Sequence, residues 1–215
     1  MNRLNSTIAL FIVVLIAGCD SSRIITVRDK YHYPLAHSKI MTVCIVNEPK
    51  DSIRSRVESN IVADLQNAGY GTVSALEKFG AHGLSGLGEE QTYLKLCSEG
   101  IDAILVVTLI DKSKESRIKA KKSYGYPDHY YYDRIWNYSK IRADLVDKEI
   151  ETKDGYFWEA ILFNLSTLEA ECTIQSRPFN SPYESKARDF EKQLINKLMK
   201  QRILEKQKAE HKKPF

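Results

Sequence analysis

Cysteine is scarce, histidine is scattered, and no long apolar run follows the first twenty residues. Each shortage excludes something. Four cysteines in 215 residues are too few for a disulfide-stapled scaffold, and the spacings of Cys44, Cys97 and Cys172 match no zinc-binding pattern. Five histidines fall in the lead-in, loops and tail, with no His-Glu-x-x-His pair, so no metal and no cofactor are expected. No Gly-x-Ser-x-Gly elbow is present. Gly80, Gly83, Gly86 and Gly88 lack the Lys-Ser/Thr of a phosphate-cradling loop, and read as flexible connection. Six prolines and ten glycines exclude collagen-like and low-complexity chains. A net charge of +4 is too small to mark a nucleic-acid partner, and none is expected. The 43% hydrophobic and 28% charged content is enough for one folded core and excludes wholesale disorder.

The amino terminus is the most specific stretch. Residues 1–7 carry Arg3 and no acid, residues 8–17 are the unbroken apolar run IALFIVVLIA, and Gly18, Cys19, Asp20, Ser21 and Ser22 follow. A basic n-region, a short apolar h-region and small residues before a cut describe a secretory signal peptide. The run falls short of the roughly 20 apolar residues a spanning helix needs. Composition alone also accommodates an ordinary cleaved signal with Cys19 incidental, or an uncleaved anchor helix.

Ile16-Ala17-Gly18-Cys19 resembles the bacterial lipobox, an aliphatic residue and two small ones before a cysteine. The resemblance implies cleavage before Cys19, a diacylglycerol thioether on its sulfur and acylation, such as palmitate, of the new amine. A thiolate is the nucleophile such a transfer needs. Two or three acyl chains, at about 0.8 kcal/mol per buried methylene, anchor where one does not. The location implied is a membrane-bound lipoprotein of the cell envelope facing the periplasm. Asp20 resembles the inner-membrane retention signal of enterobacterial lipoproteins, a rule that does not hold in all bacteria, so inner and outer membrane both stay open.

The remaining chain divides into a lipid anchor and tether at 19–39, a single α/β domain at 40–204 and a basic tail at 205–215. The tether holds a candidate short strand at 24–28. Residues 40–46, IMTVCIV, and 104–110, ILVVTLI, are continuous apolar runs that predict strands buried on both faces. Between them Ile53, Val57, Ile61 and Leu65 recur every fourth residue on a helix that Gly69 should stop. A short strand is expected at 70–74 and a short helix at 89–99, using Tyr93, Leu94 and Cys97. Strict alternation of Ile141, Ala143 and Leu145 with Lys140, Arg142 and Asp144 predicts a strand at 140–147. Strands at 157–165 and 170–175 follow, and the longest helix at 184–204 presents Ala187, Phe190, Leu194 and Leu198. The fold class expected is α/β: a mixed sheet of five to six strands with helices packed on it and a long C-terminal helix. Cys44, Cys97 and Cys172 are expected as small buried hydrophobes, with one disulfide among them left open.

The domain resembles a group of envelope lipoproteins that includes the amino-terminal domain of TolB, the curli-secretion lipoprotein CsgG and outer-membrane activators of peptidoglycan synthases. The phrases that carry this are residues 40–46, Gly69-Tyr70, Gly100-Ile101-Asp102-Ala103 leading into the second buried strand, and Trp158 to Leu165 with Ser166-Thr167. It departs from the pore-forming member, because residues 111–138 are too charged and aromatic for membrane hairpins. The resemblance implies a non-catalytic binding or scaffolding module, with self-assembly into an envelope or secretion complex as the alternative.

One segment, 124–138, has an unusual composition, with Tyr126, Tyr130, Tyr131, Tyr132, Trp136 and Tyr138 among its aromatics. Rigid aromatic side chains give contact area at small entropic cost, so these six are the candidate partner-binding residues, for an envelope protein or the cell wall. A loop folded onto its own sheet edge is the competing reading. Asp128, His129 and Asp133 have no ligand spacing of a known metal site. The tail from Lys197 carries Lys200, Arg202, Lys206, Lys208, Lys212 and Lys213 against Glu205 and Glu210, which suits either anionic headgroups or a solvated helix end. Homo-oligomerisation is the further partner expectation.

Overall fold

The computed structural model describes residues 24–29, 35–46, 52–81, 83–84, 86–111, 134–146, 155–180 and 183–207. Their element order is β1 (Ile24–Asp29), β2 (Lys39–Ile45), α1 (Ser52–Asn67), β3 (Gly71–Ser74), α2 (Ala75–Phe79), α3 (Glu89–Ser98), β4 (Ala103–Asp111), α4 (Ile135–Val146), β5 (Tyr156–Asn164), β6 (Ala170–Ser176) and α5 (Tyr183–Lys200). The strands form one six-stranded mixed sheet in the order β1-β6-β5-β4-β2-β3. β2 pairs parallel with β3 and β4, whereas β4-β5, β5-β6 and β6-β1 are antiparallel.

Both central apolar runs are strands because helices cover both sheet faces, which removes the need for alternation. On one face Ile40, Leu105, Trp158 and Ile174 pack under the α1 stripe Ile53, Val57, Ile61, Leu65 and the α5 stripe Ala187, Phe190, Leu194, Leu198. The Trp158 and Phe190 rings stack with centroids 6.1 Å apart. On the other face Met41, Ile104, Val106, Ile161 and Phe163 meet Ala75, Leu96, Ile135 and Tyr138 from α2, α3 and α4. Consecutive residues of β4 and β5 thus serve opposite layers, the two-residue period of a strand.

Four expectations need correction. Residues 140–146 belong to helix α4 and not to a strand. Tyr138 and Arg142, one helical turn apart, both reach Glu159 of β5, and this distant carboxylate selects the helix over the alternation. The lead-in is not mainly a tether: β1 is hydrogen-bonded to β6 as an edge of the sheet, so the folded unit takes in residues ahead of 40. α3 buries Thr92 and Leu96, leaving Leu94 and Cys97 exposed. The last helix ends at Lys200, and Leu198 accepts from Ile203 and Leu204 to wrap the chain end back.

A buried acid ties the parallel strands to their helices. Glu58 of α1 is fully buried. Its Oε1 accepts from the Cys44 amide at 2.9 Å and Arg54 Nε at 3.3 Å, and its Oε2 from Ser74 Oγ at 2.6 Å and the Leu76 amide at 2.8 Å. One carboxylate therefore links β2, α1, the end of β3 and the first turn of α2, while Ser74 also caps α2 through the Glu77 amide. Beyond α5, Gln207 donates its amide to the Ala68 carbonyl and Tyr70 donates its hydroxyl to the Glu205 carbonyl. The first residues of the basic tail are thus docked on the end of α1.

Candidate functional site

Parallel strands β2 and β4 begin side by side at one end of the sheet, where β5 ends and β6 starts. Residues 35–38 run past these strand ends on the way into β2. A cleft of about 570 Å³ opens there, within the roughly 300–1,000 Å³ usual for small-molecule sites. Its walls come from five separate stretches. Leu35, Ala36 and His37 precede β2, Tyr93 and Cys97 lie on α3, Ile101 and Asp102 precede β4, Asn164 to Ser166 turn from β5 towards β6, and Glu171 lies on β6.

Its polar groups are held by specific bonds. The His37 ring is only 4% exposed, with Nε2 2.6 Å from Glu171 Oε2 and Nδ1 3.8 Å from Asp102 Oδ1. Glu171 Oε1 accepts from Asn164 Nδ2 at 2.9 Å. Asp102 Oδ2 accepts from the Ser38 amide at 2.7 Å and Ser38 Oγ at 2.6 Å, and Oδ1 from the Lys39 amide at 3.2 Å. Gln207 Nε2 fixes the His37 carbonyl at 2.7 Å, so the docked chain end also holds the cleft wall. Tyr93 is pushed above its ordinary pKa by its hydrogen bond to Cys97 and the sulfur's charge, with a smaller contribution from desolvation.

Cys97 and His37 line the same space. The described imidazole bonds Glu171 at 2.6 Å, whereas a thiol nucleophile and its base stand in hydrogen-bond contact. Cys44 and Cys172 are buried as expected, and Cys97 is exposed against expectation. Among the described residues no group of three His, Cys, Asp or Glu side chains is placed to hold a metal ion. None of the described helices is long and apolar enough to cross a membrane.

The aromatic candidates divide. Tyr126, Tyr130, Tyr131 and Tyr132 lie outside the described residues, as do Cys19, Asp128, His129 and Asp133. Tyr138 belongs to the core and not to a contact surface. It is fully buried, its hydroxyl bonding Thr108 Oγ1 and Glu159 Oε1, each at 2.9 Å. Burial first, then the Glu159 charge, push its pKa strongly up. Arg142 Nη2 sits 2.8 Å from Glu159 Oε1, and Gln175 Nε2 donates to Oε2. Trp136 is half-buried against the same layer. These two rings fasten α4 to the sheet.

Sequence reasoning missed the His37 cleft because its walls lie far apart in the chain. His37 and Glu171 are 134 positions apart, and no local motif carries such a pairing. The available signal was Asp102 at the mouth of a buried strand, an acid where apolar residues dominate.

No protein-family model matches the chain, and no curated protein matches it. Solved structures with a similar chain path include the PelC dodecamer from Paraburkholderia phytofirmans, at 12% identity and TM-score 0.40, covering 84% of this chain and 99% of that one. A point variant of the same dodecamer aligns at 11% identity and TM-score 0.41, with the same coverage. Lipoprotein GNA1162 from Neisseria meningitidis aligns at 13% identity and TM-score 0.34, covering 75% of this chain and 97% of that one. Likenesses at this level assign neither family nor activity to this chain.

Proposed function

We propose that this chain is a lipid-anchored module of the bacterial envelope, held by Cys19 and facing the periplasm, which binds or scaffolds a partner and performs no reaction of its own. The observation that carries this reading is the lipobox-like Ile16-Ala17-Gly18-Cys19 directly after a ten-residue apolar run. The start of the fold supports it. β1 begins at Ile24, five residues past Cys19, and five residues reach at most about 18 Å. Such a tether keeps the domain against the membrane surface.

The sheet topology suits presentation. Ile24 pairs opposite Ser176 and Asp29 opposite Cys172, so the anchored end of β1 is the far end of the sheet from Glu171 and the cleft. A domain held by Ile24 leaves the cleft end accessible to a partner.

Self-assembly is the second reading, favoured by two strands, β1 and β3, that each pair on one side only among the described residues. Palmitate labelling and membrane fractionation of the native chain and Cys19→Ser test the anchor. The native chain should carry label and sediment with membranes, and Cys19→Ser should lose both properties. Equal fractionation of the two would overturn the proposal. Sedimentation velocity of the detergent-solubilised protein decides between monomer and assembly.

A further inference from the structure

We propose that the docked chain end carrying Lys197, Lys200, Arg202 and Lys206 is a binding surface for a linear polyanion, such as a carboxylated or phosphorylated polymer of the envelope. The inference deepens the binding reading above by naming the partner's chemistry, and its placement rests on the Cys19 anchor.

Charge comes first. The four cations fall within ten positions of the chain, against the single acid Glu205. Lys200, Arg202 and Lys206 are exposed and Lys197 is half-buried. Among the described residues no hydrogen bond or ion pair holds any of the four side chains. By contrast Arg54, Arg142 and Arg188 are paired with carboxylates, and Lys39 and Lys95 donate to backbone carbonyls. The neighbouring end of α1, Leu65-Gln66-Asn67, is uncharged, and Asp64 before it is held by Arg188 at 3.1 Å. A concentration of one sign of charge draws a chain of the opposite sign.

Presentation is the second observation. Lys197 and Lys200 also complement the negative C-terminus of α5, but Arg202 and Lys206 lie beyond that helix and need another account. Arg202 has φ +56°, the left-handed position that closes α5, where glycine carries least strain. Its side chain is exposed, so packing does not explain it. Lys206 sits between two pinned neighbours. The Glu205 carbonyl accepts from the Tyr70 hydroxyl at 2.7 Å, and the Gln207 amide donates to the Ala68 carbonyl at 2.9 Å. The Ile203 carbonyl accepts from the Leu35 amide at 2.9 Å, and Ile203 and Leu204 are buried. The cations therefore stand on fixed backbone, and a polymer that binds them does not first have to order a loose tail.

Position selects the kind of polyanion. Trp158 of β5 is level with Ser176, and so with Ile24, whereas Asn164 is level with Ala103 at the start of β4. The tail docks on Ala68 and Tyr70, just ahead of β3, which begins opposite Lys39 at that same end. From Trp158 to Asn164, at about 3.3 Å per residue, the two levels lie about 20 Å apart. Surface charge is screened beyond about 8 Å at physiological salt. A domain held by Ile24 thus carries this patch out of reach of the anchoring headgroups, which favours a polymer over that membrane.

The test titrates fluorescently labelled polygalacturonate and polyphosphate onto the detergent-solubilised full chain at low salt, with neutral dextran as control. Saturable binding of at least one polyanion, weakened by added salt and absent for dextran, is the expected result. The tighter polymer identifies the source, carboxylate or phosphate. Combined Lys200→Gln, Arg202→Gln and Lys206→Gln should weaken binding at least about tenfold. Arg177→Gln, an exposed change beside Ser176 at the other end of the sheet, should leave it unaltered. Arg202→Gly should weaken binding while melting no lower than the native chain, a split that a purely structural role would not produce. Absence of saturable polyanion binding, equal binding of dextran, undiminished binding by the triple variant, or displacement of the polymer by phosphatidylglycerol mixed into the micelles would each overturn the proposal. None of these readouts depends on the lipid at Cys19, which palmitate labelling reports separately, so the two readings fail independently.

Discussion

Replacing Glu58 by Gln changes one oxygen for an NH2 group, keeps the shape and should cost far more than a surface substitution. The carboxylate accepts four bonds, two on each oxygen. Whichever way the amide turns, its nitrogen faces a backbone N–H, that of Cys44 or that of Leu76. A hydrogen bond to a charged group contributes about 1.5–3 kcal/mol, and a buried donor left without an acceptor costs about 1–3 kcal/mol. Allowing for partial relaxation, the loss should be about 2–5 kcal/mol. For a domain of this size 1 kcal/mol moves the melting temperature by about 2–4 °C, so the fall should be about 4–20 °C. Ser74→Ala removes one of the four bonds and also the α2 cap, and should cost about 2–4 kcal/mol. Circular dichroism melts of the three proteins measure this directly. A Glu58→Gln midpoint within 2 °C of the native protein, a margin of about 1 kcal/mol or less, would refute the pinning role.

Three further outcomes follow from the packing and electrostatics. Phe190→Ala empties a fully buried ring site stacked on Trp158 and should destabilise by about 3–5 kcal/mol in urea titration. Gly69→Ala should destabilise by at least about 1 kcal/mol in the same assay, because Gly69 has φ +98° and an added Cβ would lie 2.7 Å from the Gln207 carbonyl oxygen; an unchanged midpoint would mean the chain end does not dock there. Glu191 is buried, and desolvation raises its pKa against the opposing pull of Arg188 and Asn60. Between the ordinary carboxylate range and that raised value the folded state holds the extra proton, so stability falls as pH rises through the window. Glu191→Gln should flatten that slope in melts across the acid-to-neutral range, and an unaltered slope would place the titration elsewhere.

What could be read from the sequence is what local pattern encodes. Residues 40–46 and 104–110 are apolar throughout because both faces are covered, and the four-residue stripe from Ile53 to Leu65 has one solution as a helix. The hairpin of β5 and β6 follows from its turn and alternation. Where partners are distant, pattern misled. Ile141, Ala143 and Leu145 alternate as a strand would, yet Tyr138 and Arg142 converge on Glu159, and only the fold supplies that carboxylate. β1 reads as a tether fragment because its partner β6 lies near the other end of the chain. The cleft was hidden for the same reason, since His37, Asp102 and Glu171 come together only when the ends of β2, β4 and β6 align. Glu58 had a visible cue, an acid beside Val57 and one turn before Ile61 on an otherwise apolar helix face.

The central claim is that a lipid on one sulfur places this domain in the envelope, and the intact mass of the protein purified from its native membranes tests it most directly. The account predicts a chain that starts at Cys19 and carries diacylglycerol on its sulfur. A chain that retains residues 1–18, or one with an unmodified thiol at position 19, would contradict it.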